Sequence, residues 1–137
     1  METISRWVIY FIDRKPKYWF DLFTRPGFRH CFIYGYDPLT NKWIAFDFAI
    51  NGIFINVLTE KQMIYTHNKL LKEHQATALI IENRDKSERT FSWFPMYCVS
   101  AIKSMIGMKN IFVITPYQLF CALKKKVTKD NIYIFNN

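Results

Sequence analysis

His30-Cys31-Phe32-Ile33-Tyr34-Gly35-Tyr36, then Asp37-Pro38-Leu39-Thr40-Asn41, then Lys42-Trp43-Ile44-Ala45-Phe46-Asp47-Phe48, runs as two apolar segments about a polar break. Aromatic and β-branched residues dominate both outer segments, and a turn-forming cluster separates them. That is the pattern of a β-hairpin. Side chains alternate across a strand, so His30, Phe32 and Tyr34 share one face and Cys31 and Ile33 the other. If residues 37–42 make the turn, Phe32 pairs with about Asp47. Asp47 then lies on the His30 face, diagonal to the ring. A one-residue slip would send it to the opposite face.

Working outward, Trp7 to Ile12 reads as a strand and Pro16 to Phe23 as a short helix, with Pro16 suited to its first turn. Pro26-Gly27 breaks the chain. Asn51-Gly52 is a second turn, followed by a strand from Ile53 to Leu58. Thr59 with Gln62 forms a capping box for a helix running to about His74. Thr77 to Glu82 is a strand, and the polar segment Asn83 to Thr90 a surface loop. Met96 to Ile106 is helical and stops at Gly107. Ile111 to Ile114 is short and apolar. Thr115-Pro116 caps and starts a helix ending near Lys124-Lys125-Lys126, whose cations suit a helix C-terminus. Ile132 to Phe135 is a last short strand. Antiparallel strands followed by helices give an α+β fold. The 137 residues suit a single domain.

Half the residues are hydrophobic and 18% aromatic, which supports a packed core and excludes a disordered chain. Nineteen Lys and Arg against eleven Asp and Glu leave a net charge of +8, which favours anionic partners. The cations are scattered rather than striped, which argues against a dedicated nucleic-acid surface. No apolar run reaches the roughly 18 residues of a membrane span. Met1 to Arg6 starts with an acid and lacks the basic region of an export signal, so a cytoplasmic protein is expected. The three cysteines, Cys31, Cys98 and Cys121, form neither a disulfide framework nor a metal knuckle. No cofactor motif and no phosphate loop is present.

The chemistry centres on Phe91-Ser92-Trp93-Phe94-Pro95-Met96-Tyr97-Cys98-Val99-Ser100-Ala101-Ile102-Lys103. Pro95 suits the start of a helix and puts Cys98 in its first turn. Unpaired N–H groups and the helix dipole there favour a thiolate and could hold an oxyanion. A free cysteine is also commonly a small buried hydrophobe. His30, on a strand facing such a helix, is the candidate base. Asp47, inside an aromatic strand, needs a partner that the His30 ring would supply, or else it ends the strand facing water. His67 and His74, seven apart, read as solvated. Cys31 should point away from the His30 face, and Cys121 should sit among Leu119, Phe120 and Leu123, both as inert residues.

Arg29-His30-Cys31-Phe32, Trp43 and Asp47, Tyr97-Cys98-Val99-Ser100-Ala101-Ile102-Lys103 with Gly107, and Thr115-Pro116-Tyr117-Gln118-Leu119 together resemble circularly permuted papain-like cysteine hydrolases. These are the relatives of NlpC-type cell-wall peptidases and of lecithin–retinol acyltransferase. In them the histidine strand precedes the cysteine helix. The resemblance spans roughly residues 28–124. It implies a small antiparallel sheet packed on the cysteine helix, with Cys98 as nucleophile, His30 as base and a third polar residue, here Asp47, on the strand after His30. The Asn-Cys-Glu-His run of the acyltransferase branch is missing. The implied activity is amide or ester hydrolysis, foremost of a peptidoglycan-type peptide, without metal or cofactor. The alternatives are a non-catalytic structural or adaptor protein on the same scaffold, such as a virion component in a larger assembly, and a basic nucleic-acid-binding module. Bacterial and phage settings, including virions, also come from the resemblance.

Overall fold

The computed structural model describes residues 4–17, 19–49, 52–82, 97–126 and 132–135. The strands are β1 (Arg6–Ile12), β2 (His30–Asp37), β3 (Lys42–Ala49), β4 (Gly52–Leu58), β5 (Thr77–Glu82) and β6 (Ile132–Phe135). They form one sheet in the order β4-β3-β2-β1-β5-β6, with every pair antiparallel. The helices are α1 (Glu60–Glu73), α2 (Cys98–Ile106) and α3 (Pro116–Lys124). The architecture is therefore mixed α+β.

The hairpin forms as its residues dictate. Ile33 pairs with Phe46 and Asp37 with Lys42. Within the turn, the Leu39 N–H and the Thr40 hydroxyl donate to the Asp37 carboxylate at 3.0 and 2.5 Å. Asn41 takes the left-handed conformation that its short polar side chain tolerates, at φ 55°.

Central strand β1 is buried on both faces. Ile9 and Phe11 join Cys31, Ile33, Leu79 and Ile81 against α2 and α3. Val8 and Tyr10 join Phe32, Trp43 and Ala78 against Met63 of α1. The cysteine-bearing helix thus packs on one face of the sheet, and α1 covers part of the other. Gly35 faces Trp7 across the β1–β2 ladder. A Cβ there would come within 2.8 Å of the indole, so the ring occupies the space a side chain would need.

Capping residues set the helix ends. Thr59 and Gln62 exchange the reciprocal bonds of a capping box on α1, with the Thr59 N–H donating to Gln62 Oε1 at 2.9 Å. Thr115 and Gln118 repeat it on α3. Gly107 ends α2 in the left-handed conformation, φ 70°, where a β-carbon would be strained.

Two expectations need correction. The helix anticipated from Pro16 to Phe23 is only a short 3-10 turn over Trp19–Phe23. The buried carboxylate of Asp21 draws the chain into this tighter path. It accepts two bonds from the Arg14 guanidinium, at 2.7 and 2.9 Å, and one from the Lys17 N–H at 2.8 Å. The helix anticipated from Met96 is assigned from Cys98, with Tyr97 as its cap. The expected loop Asn83 to Thr90, and Phe91 to Met96 before Cys98, lie outside the described residues.

The Arg14–Asp21 fork carries a stability prediction. The Asp21 side chain is 1% exposed, so Arg14→Ala leaves its charge without its main partner. The expected loss is about 3 kcal/mol, read as a lower urea midpoint with an unchanged slope.

Edge strand β4 is solvent-exposed on both faces. Ile53, Phe54, Ile55 and Val57 are each more than half exposed, and the strand carries no charge.

Candidate active site

Cys98 is the first residue of α2, at the positive end of the helix dipole among backbone N–H groups without intrahelical partners. Three contacts fix this end. The Tyr97 N–H donates to Ser100 Oγ at 2.9 Å, and that hydroxyl donates back to the Tyr97 carbonyl at 3.0 Å. The Tyr97 hydroxyl donates to the Ile114 carbonyl at 2.9 Å, tying the helix start to the segment before α3. Val99 and Ile102, fully buried, anchor the helix to the sheet.

His30 is the first residue of β2. Its Nε2 lies 2.7 Å from Asp47 Oδ1. Its ring stands 6.0 Å from that of Phe32, the next residue on its face. The His30 side chain is 18% exposed and Asp47 43%, so the ring is mostly shielded while its carboxylate meets solvent.

Cys98, at the start of α2, lies close enough to His30 for each to act on the other's protonation. Burial of the ring works against protonation of His30. Hydrogen bonds to Asp47 and Cys98, with the negative charges on both, outweigh it and raise the pKa to about 9. Cys98 moves the opposite way, well below an ordinary thiol. The leading cause is a hydrogen bond from the Cys31 thiol. Burial opposes it, and the His30 hydrogen bond, the His30 charge and the Cys31 N–H reinforce it. The opposite shifts favour transfer of the Cys98 proton to His30, the thiolate–imidazolium form of the pair. Such a thiolate can attack an electrophilic carbon, and the protonated ring can hand its proton to a leaving group.

The three residues singled out from sequence, Cys98, His30 and Asp47, thus converge. Cys31, set aside as inert, is the residue that spacing missed. It does point to the opposite face from Phe32, into the core. Cys98 approaches from that same face, and His30 meets it from the strand end. Cys31 is fully buried, and burial first, then its bond to the Cys98 thiolate, holds its own pKa well up. No pattern of spacing signals a sulfur pair of this kind. Cys121 lies half-buried on α3 against the same core, as anticipated.

His67 also departs from its expected solvated role. Its Nδ1 lies 2.6 Å from the Tyr10 hydroxyl, beneath α1. Burial lowers the His67 pKa, and burial with the neighbouring Tyr34 raises that of Tyr10, so a neutral phenol and a neutral ring share this hydrogen bond. His74 caps the end of α1 and is exposed.

Among the described residues, no three His, Cys, Asp or Glu side chains are grouped as metal ligands. No described helix is long and apolar enough to cross a membrane. No family model matches the chain, and no curated protein or solved structure matches it.

Proposed function

We propose that this protein is a cysteine-dependent amide or ester hydrolase of circularly permuted papain-like type. One observation carries the reading: the His30 ring is hydrogen-bonded to the Asp47 carboxylate at 2.7 Å, and Cys98, the first residue of a helix, lies close enough to that ring for each to shift the other's pKa. The histidine strand precedes the cysteine helix, as in the permuted group.

In the proposed cycle the Cys98 thiolate attacks a carbonyl carbon. Backbone N–H groups at the start of α2 stabilise the oxyanion. The His30 imidazolium protonates the departing amine or alcohol. The now neutral ring takes a proton from water, which cleaves the acyl-enzyme and restores the pair. Asp47 holds the ring and stabilises its charge. The +8 chain suits an anionic substrate. A carboxylate-bearing peptidoglycan stem peptide is the favoured class. The direct test offers purified protein peptidoglycan fragments and acyl esters side by side. Turnover of esters alone would reverse the substrate order.

A second reading, a non-catalytic component of a larger assembly, draws on the uncharged, exposed apolar edge of β4. It is preferred if neither substrate class turns over and Cys98 resists alkylation.

The ion pair sets a pH window. As pH falls through the lowered Cys98 pKa, the thiolate is protonated and activity is lost. As pH rises through about 9, His30 loses its proton and with it the general acid. A bell-shaped kcat/KM profile with its alkaline limb near 9 is expected. Stability follows the same sign. The raised His30 pKa contributes stability that is complete below the unfolded value, about 6.5, and is lost as pH rises through about 9.

Asp47→Asn removes the carboxylate that holds the ring. The alkaline limb should move to lower pH, and kcat/KM should fall about 10²-fold, less than the 10⁴ of a fully buried aspartate. An unmoved limb would show that Asp47 does not act on His30.

A further inference from the structure

The hydrolytic cycle uses Cys98, His30 and Asp47 and leaves one nucleophile idle. Cys31 sits in a cluster of apolar side chains, where a valine or alanine would fill the space without a reactive group. Yet Cys98 packs against that same cluster, close enough for the Cys31 thiol and backbone N–H to lower the Cys98 pKa. The two residues stand on neighbouring elements fixed by the core: Cys31 on β2 beside His30, and Cys98 at the start of the helix packed over that strand. Cys98 is partly buried, whereas Cys31 is fully buried.

We propose that Cys98 and Cys31 form a redox-active dithiol that takes hydroperoxides as its oxidant, with Cys98 the attacking thiol and Cys31 the resolving one. The proposal rests on the thiolate reading of Cys98 given above, but not on any substrate of hydrolysis. The Cys98 thiolate attacks the terminal oxygen of the O–O bond. An S–O bond forms, the O–O bond breaks, and the departing alkoxide or hydroxide takes the His30 proton. Cys98 is now a sulfenic acid, oxidised by two electrons. The Cys31 sulfur then attacks the Cys98 sulfur. An S–S bond forms, the S–O bond breaks, and hydroxide leaves with the Cys31 proton as water. Two thiols and one hydroperoxide give one disulfide, one alcohol or water, and one further water.

Two consequences follow. The disulfide silences the nucleophile while oxidant is present. It also diverts the sulfenic acid from sulfinic and sulfonic acids, which reducing agents do not reverse. A thiol restores both cysteines by exchange.

The experiment treats the full chain near neutral pH with a small excess of hydrogen peroxide, followed by tryptic mass spectrometry without reductant. Cys31 falls in peptide 30–42, Cys98 in 90–103 and Cys121 in 110–124. The expected product is peptide 30–42 joined to 90–103, two hydrogens lighter than their sum and separated again by dithiothreitol. In Cys31→Ser the link is absent, and Cys98 passes to sulfinic acid, with recoverable thiol lost about tenfold faster than in the parent. Cys31→Ala, which adds no buried hydroxyl, serves beside it, and the circular dichroism of each variant reports folding. Cys121→Ser should form the 30–42 to 90–103 link undiminished. The proposal is overturned if parent Cys98 over-oxidises as fast as in a folded Cys31 variant, or if the dominant link joins Cys98 to Cys121. The disulfide is read by mass and hydrolysis by turnover, so either can fail while the other stands.

Discussion

Cys98→Ala is expected to remove turnover of the responsive substrate, by about 10⁴-fold or more, while leaving the fold intact. The first half follows from covalent chemistry. With no sulfur at the helix start there is no acyl-enzyme, and His30 and the backbone amides retain only binding and weak water activation. The second half follows from position. Cys98 touches the edge of the core rather than its centre, and Val99 and Ile102 anchor the helix instead. Steady-state kinetics with circular dichroism on the same preparation checks both. A Cys98→Ala protein that retains a tenth of the parent rate would remove Cys98 from the mechanism. Rapid alkylation of parent Cys98 by iodoacetamide at neutral pH, ahead of Cys31, is the companion result. The Cys98 pKa is lowered and that of buried Cys31 raised.

His30→Gln is expected to have the second largest effect, a loss of about 10³-fold in kcat/KM. Glutamine keeps hydrogen-bonding capacity beside Asp47 but carries no charge and moves no proton. Two things are lost together. The Cys98 pKa rises because its cationic neighbour is gone, and the leaving group loses its acid. These are separable. Alkylation measured against pH should place the thiol transition higher in His30→Gln, and the hydrolytic loss should persist at high pH, where the thiolate is restored. If raising the pH recovers full hydrolysis, His30 serves only to ionise Cys98 and is not the acid. The double variant with Asp47→Asn should be little worse than His30→Gln alone, because Asp47 acts through the ring.

The local chemistry of the chain was legible without coordinates. Thr59 with Gln62, Thr115 with Gln118, Gly107 after α2, and the Asp37 turn all act within about four residues, the range over which the backbone itself brings groups together. The face shared by His30, Phe32 and Asp47 was legible too, because strand alternation and one hairpin turn set it. The helix expected at Pro16 was a failure of the same local logic. There a long-range demand, the bidentate hold of Arg14 on a buried Asp21, overrode propensity. His67 failed likewise, because the phenol that claims it comes from β1, distant in sequence but on the sheet face that α1 covers.

Three of the four members of the sulfur and imidazole cluster could be named from residue type and position. Their meeting could not. Cys31 and His30 are adjacent in sequence and point to opposite sides of a strand, so alternation alone keeps them apart. Only at the strand end, where α2 delivers Cys98 over the Cys31 face, do a thiol from beneath and an imidazole from beside reach one sulfur. Sequence by itself settled which groups were available and which way each faced along its own strand or helix. The packing of β2 against α2, set by apolar burial, decided that the pKa of one thiol falls and that of the other rises.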